Sequence, residues 1–261
     1  MSQNGQRSTD PADYQQVPRA VAAMPKDFAA DFVIAPHSHE RAQLIYATAG
    51  FMRVSTGEAM WMVPPQRALW MPAGTVHGIE MLDRVTMRTL YLRDDVAAGM
   101  PTACRVLPVS PLLRELIVRA TELPLQYDES GPAGHVVALI VAELHGVQAL
   151  KLDLPMPSDR RLQGLCNALL ANPGDRRGLE EWARAVNASA RTVARLFRRE
   201  TGTTFAAWRQ QARLLEAMGR LGSGQPVTRI AMDLGYDSVS AFSAMFRRAA
   251  GASPSDYWPE A

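Results

Sequence analysis

Only two cysteines, Cys104 and Cys166, occur in the 261 residues. That is too few for a disulfide framework, so a reducing compartment, the cytoplasm, is expected. Long apolar runs are missing as well. Residues 136–144 form one of the longest, and it is broken by Glu143, well short of the ~20 residues a membrane helix needs. Residues 1–25 have no apolar core among their Gln, Ser, Pro, Asp and Arg, so no signal peptide is expected. Histidine is scarce, five in all, and lysine is absent after Pro157. What remains is an ordinary globular composition, 47% apolar and 21% charged, in a chain long enough for two domains or one large barrel.

The formal net charge of +2 is the sum of two unlike halves. Residues 1–157 carry 13 basic and 16 acidic side chains, a balance of −3. Residues 158–261 carry 15 arginines and 10 acids, a balance of +5. Such asymmetry asks which half meets a polyanion. The sign changes near Leu154-Pro-Met-Pro-Ser158, a proline-interrupted stretch read as a linker over residues 151–158. Charge alone fits a solvated helical bundle as well as a nucleic-acid binder, so pattern must decide.

Between residues 32 and 92, short runs rich in Val, Ile, Thr, Tyr, Trp and Met are separated by Gly and Pro. They predict strands over 43–48, 51–55, 59–63, 68–71, 77–81 and 86–92, with Thr56-Gly57 as a hairpin tip. Strands at this spacing predict a sandwich or barrel over 26–105. Helical periodicity then takes over, with helices at 110–124 and 133–147 in a connector region spanning 106–150. Leu112, Leu116, Leu139 and Ile140 there are candidates for a dimer seam or a cap on the barrel. Residues 1–25 are expected to form a disordered tail.

From 159 to 261 the chain reads as helix and repeats itself. Leu179, Trp182, Ala183 and Val186 have the same spacing as Val227, Ile230, Ala231 and Leu234, 48 residues later. Short turns follow, each ending at a serine, Ser189 and Ser238, as expected of helix N-caps. The next helices carry Val193, Leu196 and Phe197 in one copy and Phe242, Met245 and Phe246 in the other, and both run on as Phe-Arg-Arg-x-x-Gly. Two helix–turn–helix units joined by a helix over about 204–221 are therefore predicted. In that motif the second helix lies in the major groove. With the apolar triplet buried, the first copy turns Arg191, Thr192, Arg195, Arg198 and Arg199 outward, where arginine pairs with guanine or contacts phosphate. The second copy offers Ser238, Ser240 and Ser243 beside Val239 and Ala244, a set suited to shape fit and phosphate contact.

Residues 158–257 resemble the DNA-binding domain of the AraC/XylS family of transcription regulators. The stretch that carries the likeness is Ile230-Ala-Met-Asp-Leu-Gly-Tyr-Asp-Ser-Val-Ser-Ala-Phe-Ser-Ala-Met-Phe-Arg-Arg-Ala-Ala-Gly-Ala-Ser-Pro254. The resemblance implies that both recognition helices enter successive major-groove segments. It places base-contacting positions at Arg191, Ala194 and Arg195, and at Val239, Ser240, Ser243 and Ala244.

In the first half, His37-Ser-His39 is followed by Gln43 and Gly50, and later by Pro72-Ala-Gly74-Thr-Val-His77. On an extended strand His37 and His39 would share a face. These strings resemble the two motifs of the cupin superfamily, a double-sheet β-barrel whose histidines and glutamate bind one divalent metal. Here the glutamate is replaced by Gln43. Three neutral imidazoles still suit a first-row transition metal, with the amide oxygen as a weak fourth ligand. Loss of the carboxylate charge weakens such binding, and direct contact of the histidines with an effector is the alternative. Tyr46, Trp61 and Trp70 are candidate effector-pocket residues, although most apolar side chains here read as ordinary core. His135 and His145 fall on a separate predicted helix and read as structural.

The expected fold is thus α+β in two domains: a cupin-like jelly-roll barrel with flanking helices, and an all-α double helix–turn–helix. The expected function is a transcription regulator, activator or repressor, that binds operator DNA and senses a small-molecule effector. A homodimer and contact with RNA polymerase are expected, and no catalytic residues. The alternative is a metal-dependent cupin oxygenase or isomerase with a helical appendage, against which the doubled motif and the missing carboxylate both count.

Overall fold

The computed structural model describes residues 8–150, 153–222 and 224–257. Its strands are β1 (Val21–Phe28), β2 (Val33–His37), β3 (Ala42–Ala49), β4 (Met52–Ser55), β5 (Ala59–Val63), β6 (Arg67–Met71), β7 (His77–Met81), β8 (Val85–Leu92), β9 (Arg105–Pro108) and β10 (Leu154–Pro155). Its helices are α1 (Asp94–Ala97), α2 (Pro111–Glu122), α3 (Pro132–Gly146), α4 (Arg160–Ala171), α5 (Leu179–Ala185), α6 (Ala190–Thr201), α7 (Phe205–Gly222), α8 (Val227–Asp233), α9 (Val239–Ala250) and α10 (Pro254–Tyr257). Two compact units result, Met1–Thr56 with Val63–Leu152, and Gly57–Met62 with Asp153–Ala261. All six expected strands are present, with ends within one residue of those predicted.

In the first unit one antiparallel sheet runs β1-β8-β3-β6-β9, and β7 pairs with both β2 and β4. Alternation divides the five-stranded sheet into two faces. Ala42, Leu44 and Tyr46 of β3 join Ala68 and Trp70 of β6, Leu90 and Leu92 of β8, and Val21 and Ala23 of β1. Against that face pack Leu113 and Ile117 of α2 and Val137, Ile140 and Leu144 of α3. The start of α2 is locked to the last turn of α3. Ser110 Oγ accepts from Leu113 N at 3.0 Å and donates to Glu143 Oε2 at 2.9 Å, with Pro111 opening α2. Ile140 is fully buried and Leu116 packs on the same core, so of the four seam candidates only Leu112 and Leu139 are exposed.

The tail expected over 1–25 is folded from Ser8 on, while Met1–Arg7 lie outside the described residues. A 3-10 turn at Pro11–Tyr14 leads into β1, and Tyr14, Val17, Ala22, Met24 and Tyr91 form a small core. Arg41 explains why this polar segment stays down. It is 8% exposed; its Nε donates to the Gln15 carbonyl at 2.8 Å, Nη1 to that of Arg19 at 3.1 Å, and Nη2 to that of Val17. Arg41→Ala should take a donor from each of three carbonyls, leaving that of Val17 with only the Arg19 N–H, and cost about 2–4 kcal/mol. A lowered urea midpoint with new proteolysis at residues 8–20 is the expected reading. The connector opens with a strand before its first helix. Residues 105–108 are strand β9, paired with β6, and helix begins only at Pro111.

In the second unit β5 and β10 pair antiparallel, Met60 opposite Leu154 and Ala59 opposite Pro155. The stretch read as a linker therefore includes a short strand, its residues 151–152 being outside the described residues. α4 is capped by Asp159, whose own N–H donates to Glu200 Oε2 at 2.9 Å. The repeat is real in three dimensions: α5–α6 and α8–α9 are two helix pairs joined by α7. Phe197 packs edge-on against Phe205 and Trp208, both at 5.8 Å. Phe242 packs against Tyr236 at 5.5 Å and Phe246 at 5.9 Å.

Candidate functional site

The two recognition helices are built by matching local devices. Ser189 Oγ accepts from Thr192 N and Ser238 Oγ from Ala241 N, both at 3.1 Å. At the other ends Gly202 and Gly251 take the left-handed conformation, φ 71° and 84°, which glycine adopts without a steric cost. On α6 the buried triplet Val193, Leu196 and Phe197 leaves Arg191, Ala194, Arg195, Arg198 and Arg199 exposed. Among the described residues Arg199 pairs with Glu200 at 3.1 Å, whereas Arg191, Arg195 and Arg198 make no ion pair. Thr192 is half-buried, its hydroxyl 2.9 Å from that of Ser189. On α9, Val239, Ser240 and Ala244 are exposed and Ser243 is half-buried. α6 thus presents a cationic face and α9 a nearly neutral one, ending in exposed Arg247 and Arg248.

Arg213 of α7 was not singled out from the sequence. It is half-buried and donates to the carbonyls of Pro173 at 2.7 Å and Asp175 at 3.0 Å, beside the Tyr236 ring. Between those carbonyls lies Gly174, whose backbone abuts Asp233 and Gly235. The loop before the first helix pair is thereby fastened to the turn of the second.

In the first unit His37, His39 and His77 come together. A ligand nitrogen from each lies within 4.8 Å of the others, and among the described residues no other such His, Cys, Asp or Glu cluster occurs. His37 ends β2 and His77 opens β7, directly opposite each other after a register shift in the ladder. His39 is not on a strand. It sits in the β2–β3 connection, held by the bond from Gly74 N to the His39 carbonyl at 2.8 Å. Gly74 has φ 74°, so the Pro72–Gly74 turn that ties His39 to His77 requires glycine. His37 Nδ1 donates to the Ala35 carbonyl and His77 Nδ1 to that of Thr75, each at 2.9 Å. That choice makes each Nε2 an acceptor; His77 Nε2 has no partner, while His37 Nε2 accepts from His39 Nε2 at 3.1 Å.

His39 and His77 are 9% and 1% exposed. Burial first, then the neighbouring His37 and His77, lowers the pKa of His39 to about 4. Burial also lowers that of His77, against the Thr75 carbonyl. In the metal-free protein the unfolded chain takes up a proton below 6.5 that folded His39 refuses until about 4. Stability should therefore fall as pH drops through that window, and His39→Gln should flatten the slope of urea midpoint against pH. An unchanged slope would remove His39 as its cause.

Gln43 lies across the ladder from Tyr91, and its Nε2 donates to Thr89 Oγ1 at 3.1 Å and to Tyr91 Oη at 3.4 Å. The Tyr91 ring meets His39 edge-on at 5.0 Å. Two buried acceptors have no hydrogen-bond partner here, Gln43 Oε1 and His77 Nε2. Unpaired buried lone pairs of this kind are costly unless something binds them. Tyr46 and Trp70 sit on the opposite, helix-packed face; Trp70 Nε1 donates to the Pro101 carbonyl at 2.8 Å, and burial pushes the Tyr46 phenol up to about 12. Both therefore lie on the sheet face away from the Gln43 side chain. Trp61 is buried on β5.

With both assemblies in place, the class is clear: the chain belongs to the AraC family of transcription regulators. An AraC-like ligand binding domain matches residues 27–185 and a helix-turn-helix domain residues 182–258. The chain is 34% identical over 221 residues to the HTH-type transcriptional regulator NimR of Escherichia coli, covering 85% of this chain and 81% of that one. It is 27% identical over 116 residues to the arabinose operon regulatory protein of Escherichia coli, covering 44% and 40%. Among solved structures, ToxT from Vibrio cholerae aligns over 92% of this chain and 98% of its own, with 8% identity and a TM-score of 0.38. The protein is a DNA-binding transcription regulator with a ligand-binding portion. No described helix is long and apolar enough to cross a membrane.

Proposed function

We propose that the protein acts in the cytoplasm as a homodimer that reads operator DNA mainly through α6, without catalysing a reaction. Arg191, Thr192 and Arg195 reach base edges, while Arg198, Arg199, Ser238, Ser240 and Ser243 hold phosphates. The observation that carries this is the exposed cationic face of α6 opposite its buried triplet, on which Arg191, Arg195 and Arg198 make no ion pair among the described residues. Exposed Leu112 and Leu139 supply the dimer contact, and DNA-bound protein meets RNA polymerase at the promoter. Residues 26–105 sense, 106–150 dimerise, 151–158 connect and 159–261 bind DNA. Chromatin capture of the tagged protein, followed by mobility shifts on the recovered sites, tests the reading. Sites with no shared motif, bound with non-specific affinity, would defeat it.

We further propose that His37, His39 and His77 hold a divalent first-row metal, with Gln43 Oε1 as a fourth donor. Paired Nδ1–H bonds to backbone carbonyls and two orphaned acceptors support this. Three nitrogens around a tetrahedral ion lie roughly 3.4 Å apart at about 2.1 Å bonds, so the cluster needs only a small inward closure. When bound, the metal supplies a Lewis-acid anchor for an effector atom. The chain's own residues hold the imidazoles in the required tautomer and exclude water around them.

A further inference from the structure

The donor set at the histidine cluster has no negative charge to offer. The cluster consists of three imidazoles, with the Gln43 carboxamide bonded to Tyr91, whose ring meets His39 edge-on, and among the described residues no Asp, Glu or Cys joins it. Gln43 is not a passive stand-in for a carboxylate: its NH2 group is committed to Thr89 and Tyr91, which fixes the amide so that its oxygen is the free atom. Gln43 and His77 are 3% and 1% exposed and His37 is half-buried, so a dication placed here is open to water only on the His37 side. An uncompensated charge in such a setting is strongly disfavoured, whereas a close counter-charge is worth far more there than in water. Three nitrogens and one weak amide oxygen leave positions open on a five- or six-coordinate first-row ion, and on a tetrahedral one an anion can displace the amide.

We infer that Gln43 makes this a paired site, in which metal binds well only together with an anionic small molecule, and that this anion, an organic carboxylate, is the effector. The inference rests on the metal reading above and adds the chemical class of the ligand. By linkage, the factor by which the anion raises metal affinity is the factor by which metal raises anion affinity. The protein then reports the anion, because the metal alone is held too weakly to occupy the site. A carboxylate introduced at position 43 would supply the missing charge from within and abolish the requirement.

The test is Co(II) titration of the full-length metal-free protein, followed by visible absorption and by metal retained after gel filtration. The background salt is perchlorate, and acetate or chloride is added. The expected result is weak Co(II) binding in perchlorate, tightened about tenfold or more by acetate with a new absorption envelope, and much less by chloride. Gln43→Glu should bind Co(II) tightly in perchlorate and lose the acetate response, and His77→Ala should bind in neither salt. Tight binding to the wild type in perchlorate, unmoved by acetate, would overturn the anion requirement and leave the metal site standing. No Co(II) uptake under any condition would overturn the metal site and this inference with it. Full tightening by chloride alone would assign the anion to a resident inorganic ion and overturn its identity as effector.

Discussion

Arg195→Ala combined with Arg191→Ala is expected to abolish specific operator binding while leaving the fold intact. Both side chains are exposed, and neither makes an ion pair among the described residues. Their removal leaves the Val193–Leu196–Phe197 packing untouched. Each lost base contact costs about 1–3 kcal/mol, so the pair together lowers affinity by roughly 30-fold to 20,000-fold if the contacts are independent. Arg198→Ala, proposed as a phosphate contact, should behave differently. It should weaken all sequences about equally and reduce the dependence of log K on log salt by about one. Mobility shifts at two salt concentrations, on operator and scrambled DNA, separate the two patterns. If Arg191→Ala and Arg195→Ala weakened scrambled DNA as much as operator, the base-edge role would be lost to a phosphate role.

Much of this interface was legible in the sequence because its devices are local. A serine cap, an apolar triplet and a left-handed glycine each act within one helix, so spacing of 48 to 49 residues exposes them twice. The histidine cluster was half legible. His37, His39, Gln43 and His77 stood out by type and spacing, but a period-two strand was the wrong vehicle for His39, which a loop bonded to Gly74 delivers. Register between β2 and β7, which brings His37 opposite His77, is a long-range property that no local spacing encodes. Tyr46 could have been placed correctly from parity alone: it lies three residues from Gln43, and an odd separation in a strand reverses the face. β1 stayed hidden because Val21-Ala-Ala-Met24 has weak strand propensity, and its anchors, Tyr14 and Arg41, are remote. Arg213 gave no signal at all, being an arginine in an amphipathic helix whose partners are backbone carbonyls of a distant loop.

Gly174→Ala is expected to uncouple the two helix pairs. A Cβ at position 174 would meet the Asp233 carbonyl oxygen at 2.2 Å and the Gly235 nitrogen at 3.6 Å, and these are backbone atoms that cannot swing aside. Gly235 in turn has φ 78°, and a Cβ added there would lie 2.7 Å from the Gly174 carbonyl oxygen, so neither side of the contact has slack. Relief requires α8 and its turn to move away from the 173–175 loop, against the Arg213 bonds to Pro173 and Asp175. Overpacking of this kind costs about 1–3 kcal/mol of stability. The functional loss should exceed what stability explains, since α6 and α9 must meet their DNA segments in one fixed relation. Operator affinity should drop by at least the ~1–3 kcal/mol of one base contact even where the variant is fully folded. Arg213→Lys tests the same brace from the other side, because one ammonium cannot reproduce the planar fork that spans both carbonyls. If Gly174→Ala folds and binds the operator as the parent does, the loop is not what holds the two readers in register.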